Sequence, residues 1–261
     1  TYRGHYRCNV VDAGPKYAEF VAETIAGADG AIGGFIAESC PSVGGQIILP
    51  DGYLEAAYAH VRAAGSLCIA DEVQTGYGRT GSHFYGFEAQ SVVPDVVVLG
   101  KSIGNGHPVA AVITTPEIAG SFDNGMEFFS TFGGNTVSCA VGLAVLKIVQ
   151  DEGLQAHALE VGNHLLDGLR ALHDRYTIIG DVRGAGLFLG VELVRDHDSL
   201  EPAAAEADFV INRMAERGIL VGTDGSLHNV LKIRPPMPFS IKDADHLLTT
   251  LDAVLAILPD N

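Results

Sequence analysis

Two stretches of the chain decide its fold: residues 66–75, which read SLCIADEVQT, and residues 94–103, which read PDVVVLGKSI. In each stretch a run of apolar residues without alternation leads to a charged residue, Asp71 in the first and Lys101 in the second. Short runs of this kind are typical of buried parallel strands. Because ligands of open α/β sheets bind at the carboxyl ends of the strands, both charged residues are candidates for a functional site.

The segments around these two runs alternate between helix-like and strand-like patterns. The predicted helices of the first half cover residues 15–26 and 51–64, and two further apolar runs cover residues 31–37 and 109–113. An order of strand, helix, strand predicts an α/β fold with a parallel or mixed sheet. The run at 31–37 ends at Glu38, so the sheet is expected to bring Glu38, Asp71 and Lys101 to one edge.

The second half of the chain has a different pattern, which predicts a smaller α+β domain. Its predicted helices cover residues 136–149, 153–174, 203–217 and 243–257, and its predicted strands cover residues 187–194, 218–222 and 230–234. We therefore divide the chain into a first domain, residues 1–140, and a small C-terminal domain, residues 141–261.

The composition argues against several classes of function. The 261 residues include 32 acidic and 16 basic side chains, a net charge of −16, which disfavours nucleic-acid binding. No apolar run reaches the roughly 18 residues that a membrane span needs. The four cysteines form no C-x-x-C pair, so neither a metal site nor a disulfide framework is predicted, and a reducing, cytoplasmic compartment is expected.

Lys101 and Asp71 point to a cofactor when they are considered together. An amine at the end of a buried strand is a candidate nucleophile for aldehydes, although a lysine whose head reaches water is the commoner case. An aspartate directly after a buried strand needs a partner, which is more often a helix end or a salt bridge than a ligand. Pyridoxal 5'-phosphate requires both groups, a lysine for its aldehyde and an acid for its ring nitrogen.

Three motifs in this order resemble the class III pyridoxal-phosphate-dependent aminotransferases. They are IADEVQTGYGRTG at 69–81, PDVVVLGKSIGNGHPVAAVITT at 94–115 and FFSTFGGNTVSCAVGLAVL at 128–146. The resemblance runs from about residue 30 to the C-terminus. It implies fold-type I, with residues 1–140 forming the C-terminal part of the large cofactor-binding domain, and an active site at the interface of a homodimer.

The resemblance assigns cofactor roles to five residues. Lys101 resembles the Schiff-base lysine, which also moves the proton at the substrate carbon that bears the amine. Asp71 resembles the partner of the ring nitrogen. Val73 matches the residue on the ring face, and Gln74 matches the neighbour of the ring hydroxyl. Thr131 matches the threonine that reaches the cofactor phosphate of the neighbouring subunit; for Val73 and Thr131 alone, core packing and a loop hydroxyl are the simpler interpretations.

One part of the family pattern has no counterpart here. The Gly-rich phosphate cup of the family normally lies well before the Asp71 motif, and residues 1–70 contain no match to it. The chain is therefore expected to correspond to the C-terminal part of the family fold.

The substrate-binding residues suggest a branch of the family. Glu38 matches an active-site glutamate that often pairs with the substrate-binding arginine. In VLKIRPPMPFS, Lys232 occupies that arginine's place and Arg234 precedes two prolines. Lysine is a point charge and does not grip a carboxylate as the planar arginine does. The alternative is that Lys232 faces solvent on an edge strand.

Several segments together resemble the ethanolamine-phosphate phospho-lyases, with alanine–glyoxylate aminotransferases as the sibling branch. They are TYRGHYR at 1–7, FIAESCPSVGGQIILP at 35–50, GNGHPVA at 104–110, FFSTFGGNTVSCAVGLAVL at 128–146, IIGDVRGAGLFLGVEL at 178–193 and NVLKIRPPM at 229–237. The function implied is removal of phosphate from an amino-alcohol phosphate, with an (ω-)aminotransferase as the alternative. A leaving phosphate needs cationic donors. The candidates by type are Lys232, Arg234, His107 and Arg79, of which Lys232 is preferred.

Overall fold

A computed structural model describes residues 2–7 and 10–258 of the chain. Its first half contains a four-stranded sheet in the order β1-β2-β3-β4. The strands are β1 (Gly34–Glu38), β2 (Leu67–Asp71), β3 (Val96–Leu99) and β4 (Ala111–Thr114). The first three strands run parallel, and β4 runs antiparallel to β3. This mixed sheet confirms the predicted α/β class.

The second half contains a separate antiparallel sheet in the order β5-β6-β8-β7. Its strands are β5 (Ile179–Ala185), β6 (Phe188–Leu193), β7 (Gly222–Asp224) and β8 (Val230–Ile233). Strand β8 pairs with β6 on one side and with β7 on the other. Its side chains alternate, so that Leu231 and Ile233 are buried in the core while Lys232 and Arg234 lie on the opposite face.

The helices pack on these two sheets in two groups. They are α1 (Ala13–Ala26), α2 (Tyr53–Ala63), α3 (Pro116–Phe122), α4 (Thr136–Asp151), α5 (Leu154–His173), α6 (Ala204–Ala215) and α7 (Ile241–Leu255). Helices α1 and α2 pack against each other beside the first sheet, whereas α5, α6 and α7 bury one face of the second. Each sheet therefore has its own apolar cluster.

The register of the first sheet aligns the ends of its parallel strands. Glu38 is the Cα partner of Asp71, and Asp71 is the partner of Val98, three residues before Lys101. The predicted meeting of these strand ends at one edge is confirmed.

Three details differ from the sequence prediction. The run at 109–113 forms an antiparallel strand and not another parallel one. Strand β5 was not predicted, because its Asp181, Arg183 and glycines look like a loop, yet its charged side chains pair with each other and with Glu192 of β6. The predicted strand at 218–222 is mostly irregular chain after a turn that ends at Gly218, and β7 begins only at its last residue.

The two-domain division stays a prediction, and several contacts cross it, among them those made by the first residues of the chain. Tyr2 and Arg3 lie against the second sheet: a Cβ at Gly180 would come within 2.4 Å of the Tyr2 hydroxyl, and Arg3 pairs with Glu192. Within the described ranges, no helix combines the length and apolar character that crossing a bilayer would require. Nor do His, Cys, Asp and Glu side chains of those residues cluster as a metal site would need.

Candidate active site

Asp71 and Lys101 lie at or just after the ends of neighbouring strands, and most of their hydrogen-bonding capacity is unused. Asp71 ends β2, and its Oδ1 accepts one hydrogen bond, from the Val73 N–H at 2.9 Å. Lys101 follows β3, opens the short 3₁₀ helix Lys101–Gly104 and has a left-handed φ of 44°. The Lys101 side chain is exposed, and its amine makes no hydrogen bond or ion pair with the part of the chain that the structure describes. Both groups are therefore available to a ligand.

Val73 connects the two strand ends. A Cβ placed on Gly100 would lie 3.5 Å from both methyl groups of Val73, so this side chain packs on the backbone just before Lys101. On the other side of the lysine, the His107 imidazole lies 2.8 Å from the Ser138 hydroxyl of α4. His107 therefore holds the loop after Lys101 against α4 through a hydrogen bond, which is a structural role.

Arg234 lies at the centre of a second group of polar side chains. Its Nη1 donates to the Oε1 of Gln74 and, at 3.2 Å, to the Ser42 hydroxyl. Burial lowers the pKa of Arg234, and the charges of Asp224 and Glu38 act in the opposite direction. Glu38 itself accepts a hydrogen bond from the Ser42 N–H at 3.1 Å, and it forms no direct ion pair with a described residue. The structure thus links Gln74 with Arg234 of the second half of the chain, a contact that the sequence did not predict.

Lys232 is engaged in an ion pair. Its Nζ lies 2.7 Å from Oδ2 of Asp224, which also accepts a hydrogen bond from Gln46 at 2.7 Å. Strand β8 is interior to the sheet and the lysine side chain is 23% exposed, so the alternative of a solvent-facing edge strand is wrong. The charge of Lys232 is compensated by its neighbour, which leaves Arg234 as the better placed cation.

Arg79 is a half-buried guanidinium that reaches from the first half of the chain to the second. Its Nη1 donates to the carbonyl oxygens of Leu187 at 3.1 Å and Pro235 at 2.9 Å. Burial lowers the pKa of Arg79 to about 10, and the nearby positive charge of Arg234 adds to this. No carboxylate of a described residue pairs directly with either guanidinium, so the two together form a region of positive charge.

Glu72 is a residue that the sequence reasoning missed. Its carboxylate is completely buried and accepts four hydrogen bonds. The donors are the Ser39 hydroxyl at 2.5 Å, the Thr75 hydroxyl at 2.6 Å and the N–H groups of Gly86 and Phe87, both at 2.9 Å. We call Glu72 and these four donors the Glu72 cluster. The only sequence signal was a second acid directly after Asp71.

Two further side chains complete the description of the site. Thr131 is exposed in the loop between α3 and α4, and its hydroxyl makes no hydrogen bond with the described residues. Burial raises the pKa of the Cys40 thiol to about 12, and the charges of Glu72 and Glu38 add to this. Cys40 is therefore no thiolate nucleophile. Cys68 and Cys139 are also free thiols, and Cys8 lies outside the described residues.

Comparison with known proteins identifies a family. A family model described as aminotransferase class-III matches residues 7–255. A Drosophila melanogaster protein named alanine–glyoxylate aminotransferase 2-like is 49% identical over 243 residues, a match that covers 91% of this chain and 49% of that protein. The chain spans about half the length of the curated relatives it matches.

Two solved structures resemble the whole described fold. A phospholyase from Arthrobacter in complex with phosphoethanolamine is 41% identical, with a TM-score of 0.88 over 94% of this chain and 58% of that one. An amine transaminase from an uncultivated Pseudomonas species, in its PLP-bound form, is 32% identical, with a TM-score of 0.89 over 99% of this chain and 60% of that one.

Proposed function

Because the chain belongs to the class III aminotransferase family, we propose that the protein is a phospho-lyase that acts on ethanolamine phosphate or a similar amino-alcohol phosphate. The net reaction converts ethanolamine phosphate and water into acetaldehyde, ammonia and inorganic phosphate. No keto acid takes part, since the amine is released and not transferred.

The cofactor is pyridoxal phosphate, and the residues present fit it. The uncommitted Lys101 amine suits the aldehyde, and the Asp71 carboxylate, with one hydrogen bond in place, can accept another from a protonated ring nitrogen. Val73 offers an apolar face between these two groups. When bound, the cofactor supplies a cationic ring that stabilises negative charge on the substrate carbon next to the nitrogen.

The residues of this chain supply the remaining steps. With the cofactor bound, the Lys101 amine would remove the proton from the substrate carbon that bears nitrogen. Asp71 keeps the proton on the ring nitrogen. Arg234 binds the phosphate that leaves the adjacent carbon, because a guanidinium forms charge-assisted hydrogen bonds with phosphate oxygens.

The ion pair between Lys232 and Asp224 is the observation that favours a substrate without a carboxylate. The resemblance puts a carboxylate-binding arginine there, but this chain has a lysine 2.7 Å from Asp224. A compensated ammonium is a poor partner for a substrate carboxylate, so a substrate without one fits better. The region of positive charge around Arg234 and Arg79 suits a phosphate dianion.

A transaminase that uses alanine with glyoxylate or pyruvate is the second candidate. The 49% identity to the alanine–glyoxylate aminotransferase 2-like protein favours it. In that reaction Arg234 would bind the carboxylate of the amino acid, and the amine would be passed to the acceptor.

An assay of the full-length enzyme separates the two reactions. Incubation with ethanolamine phosphate, without a keto acid, should release inorganic phosphate and acetaldehyde in equal amounts, while alanine with glyoxylate should yield little pyruvate. Absence of phosphate release, together with rapid pyruvate formation, would replace the lyase by the transaminase. In the Lys232→Arg variant we expect improved use of amino acids, and no gain would count against the argument from position 232.

The active enzyme is proposed to be a cytoplasmic homodimer. The exposed loop that carries Thr131 supports the dimer, since in the family this threonine reaches the neighbouring subunit's cofactor.

A further inference from the structure

We propose that Glu72 is a positioning residue, which holds the residues of the cofactor site in place from the protein interior. This inference rests on the cofactor and not on the choice between lyase and transaminase. The Glu72 carboxylate does not face the ligand-binding edge directly, and it acts through the residues it holds.

The connectivity of the Glu72 cluster is the first observation. Each hydroxyl donor directly follows a site residue in the chain: Ser39 follows Glu38, and Thr75 follows Gln74. Glu72 itself follows Asp71. One buried carboxylate therefore ties the segment that presents Asp71 and Gln74 to the segment that presents Glu38 and to the backbone at Gly86 and Phe87.

The saturation of the carboxylate is the second observation. Oε1 accepts from Ser39 and Phe87, and Oε2 accepts from Thr75 and Gly86, so each oxygen has two donors. Hydrogen bonds to a charged acceptor are about twice as strong as neutral ones. The burial of this charge is tolerable only while the four donors stay in place, which makes the arrangement rigid.

The backbone of Glu72 adds a link to the lysine strand. The Glu72 N–H donates to the Val98 carbonyl at 2.9 Å, and β3 ends one residue later at Leu99, directly before Gly100 and Lys101. Glu72 therefore helps to fix the positions of both Asp71 and Lys101. Supporting hydrogen bonds of this kind hold functional side chains within the narrow limits that a bound group needs.

Glu72→Gln in the full-length protein tests the proposal. The amide replaces one acceptor oxygen by a donor, which cannot satisfy two donors. We expect the dissociation constant of pyridoxal phosphate for the apoenzyme to rise about tenfold, the lower end of what loss of outer hydrogen bonds costs at metal sites. At saturating cofactor, the visible band of the lysine-linked cofactor should change in position or intensity. An unchanged dissociation constant with an unchanged spectrum would overturn the proposal.

A matched control separates positioning from stability. Glu206 of α6 is also a buried carboxylate, and it accepts hydrogen bonds from Nε and Nη2 of Arg195, far from Glu72 in the chain. Glu206→Gln should lower the melting temperature but leave cofactor affinity and spectrum unchanged. If Glu206→Gln weakens the cofactor as much as Glu72→Gln does, the effect is general destabilisation and the proposal is wrong.

Two conservative variants at Thr75 test the proposal even if the Glu72→Gln protein does not fold. Thr75→Val removes one hydroxyl from the Glu72 cluster at nearly constant shape, whereas Thr75→Ser retains the hydroxyl. The valine variant should show weaker cofactor binding and an altered band, and the serine variant should match the unmodified protein. Equal behaviour of the two variants would refute the role of the cluster. The unmodified protein must itself bind the cofactor, and its failure to do so would count against the function and not against Glu72 alone.

Discussion

The charged side chains near the candidate site differ in how many of their possible hydrogen bonds are made within the chain. The Glu72 carboxylate has all its bonding positions filled, whereas the Asp71 carboxylate and the Lys101 amine do not. Since Lys101 is exposed and makes no bond with the described residues, Lys101→Ala should change the unfolding free energy of the apoenzyme by less than about 0.5 kcal/mol. The same variant should lose the visible band and the borohydride-fixed cofactor. The exposed Lys147 provides the control, since Lys147→Ala should keep both. Full activity of the Lys101 variant would contradict the assignment.

At the scale of the secondary-structure elements, Asp95 joins three of them. It precedes β3, and it accepts from the Cys68 N–H of β2 at 2.7 Å and from Arg62 of α2 at 3.1 Å. Burial raises the pKa of Asp95, but these hydrogen bonds outweigh it and the pKa lies below its ordinary value. Its stabilisation is therefore present above the unfolded-state pKa of about 3.9 and is lost as the pH falls through the folded-state value. Asp95→Asn should cost about 1 to 3 kcal/mol at neutral pH. In denaturant titrations the difference should close below about pH 4. The exposed Asp29→Asn should show no such difference, and a gap independent of pH would disprove the explanation.

At the scale of the whole molecule, an apolar surface beside Thr131 indicates an interface. Four large side chains there are 73–81% exposed: Met126, Phe128, Phe129 and Phe132. Contiguous exposed apolar patches mark interaction sites. We expect the full-length protein to sediment as a dimer, and Phe132→Asp to shift it towards monomer and to weaken cofactor binding. Leu220 is 89% exposed but lies between α6 and β7, outside the segment that forms this patch, so Leu220→Asp should change neither property. A Phe132→Asp protein that remained a dimer of full cofactor affinity would show that the interface lies elsewhere.

The sequence by itself determined the fold class, the strands that lead to Asp71 and Lys101, and the family. These features are readable because they are local: an apolar run, a charged residue at its end and a short motif each occupy a few consecutive positions. Strand β5 escaped for the same reason, since its charged residues look like a loop until Glu192 of β6 is beside them.

Only the tertiary structure decided which polar groups are free and which are committed. The Lys232–Asp224 pair, the Arg234–Gln74 contact and the four donors of Glu72 join residues from separate segments. Such contacts depend on how strands and loops are placed in space, and no spacing along the chain encodes them. Lysine at 232 and glutamate at 72 are ordinary charged residues in the sequence, and burial with particular partners is what gives each of them a defined electrostatic role.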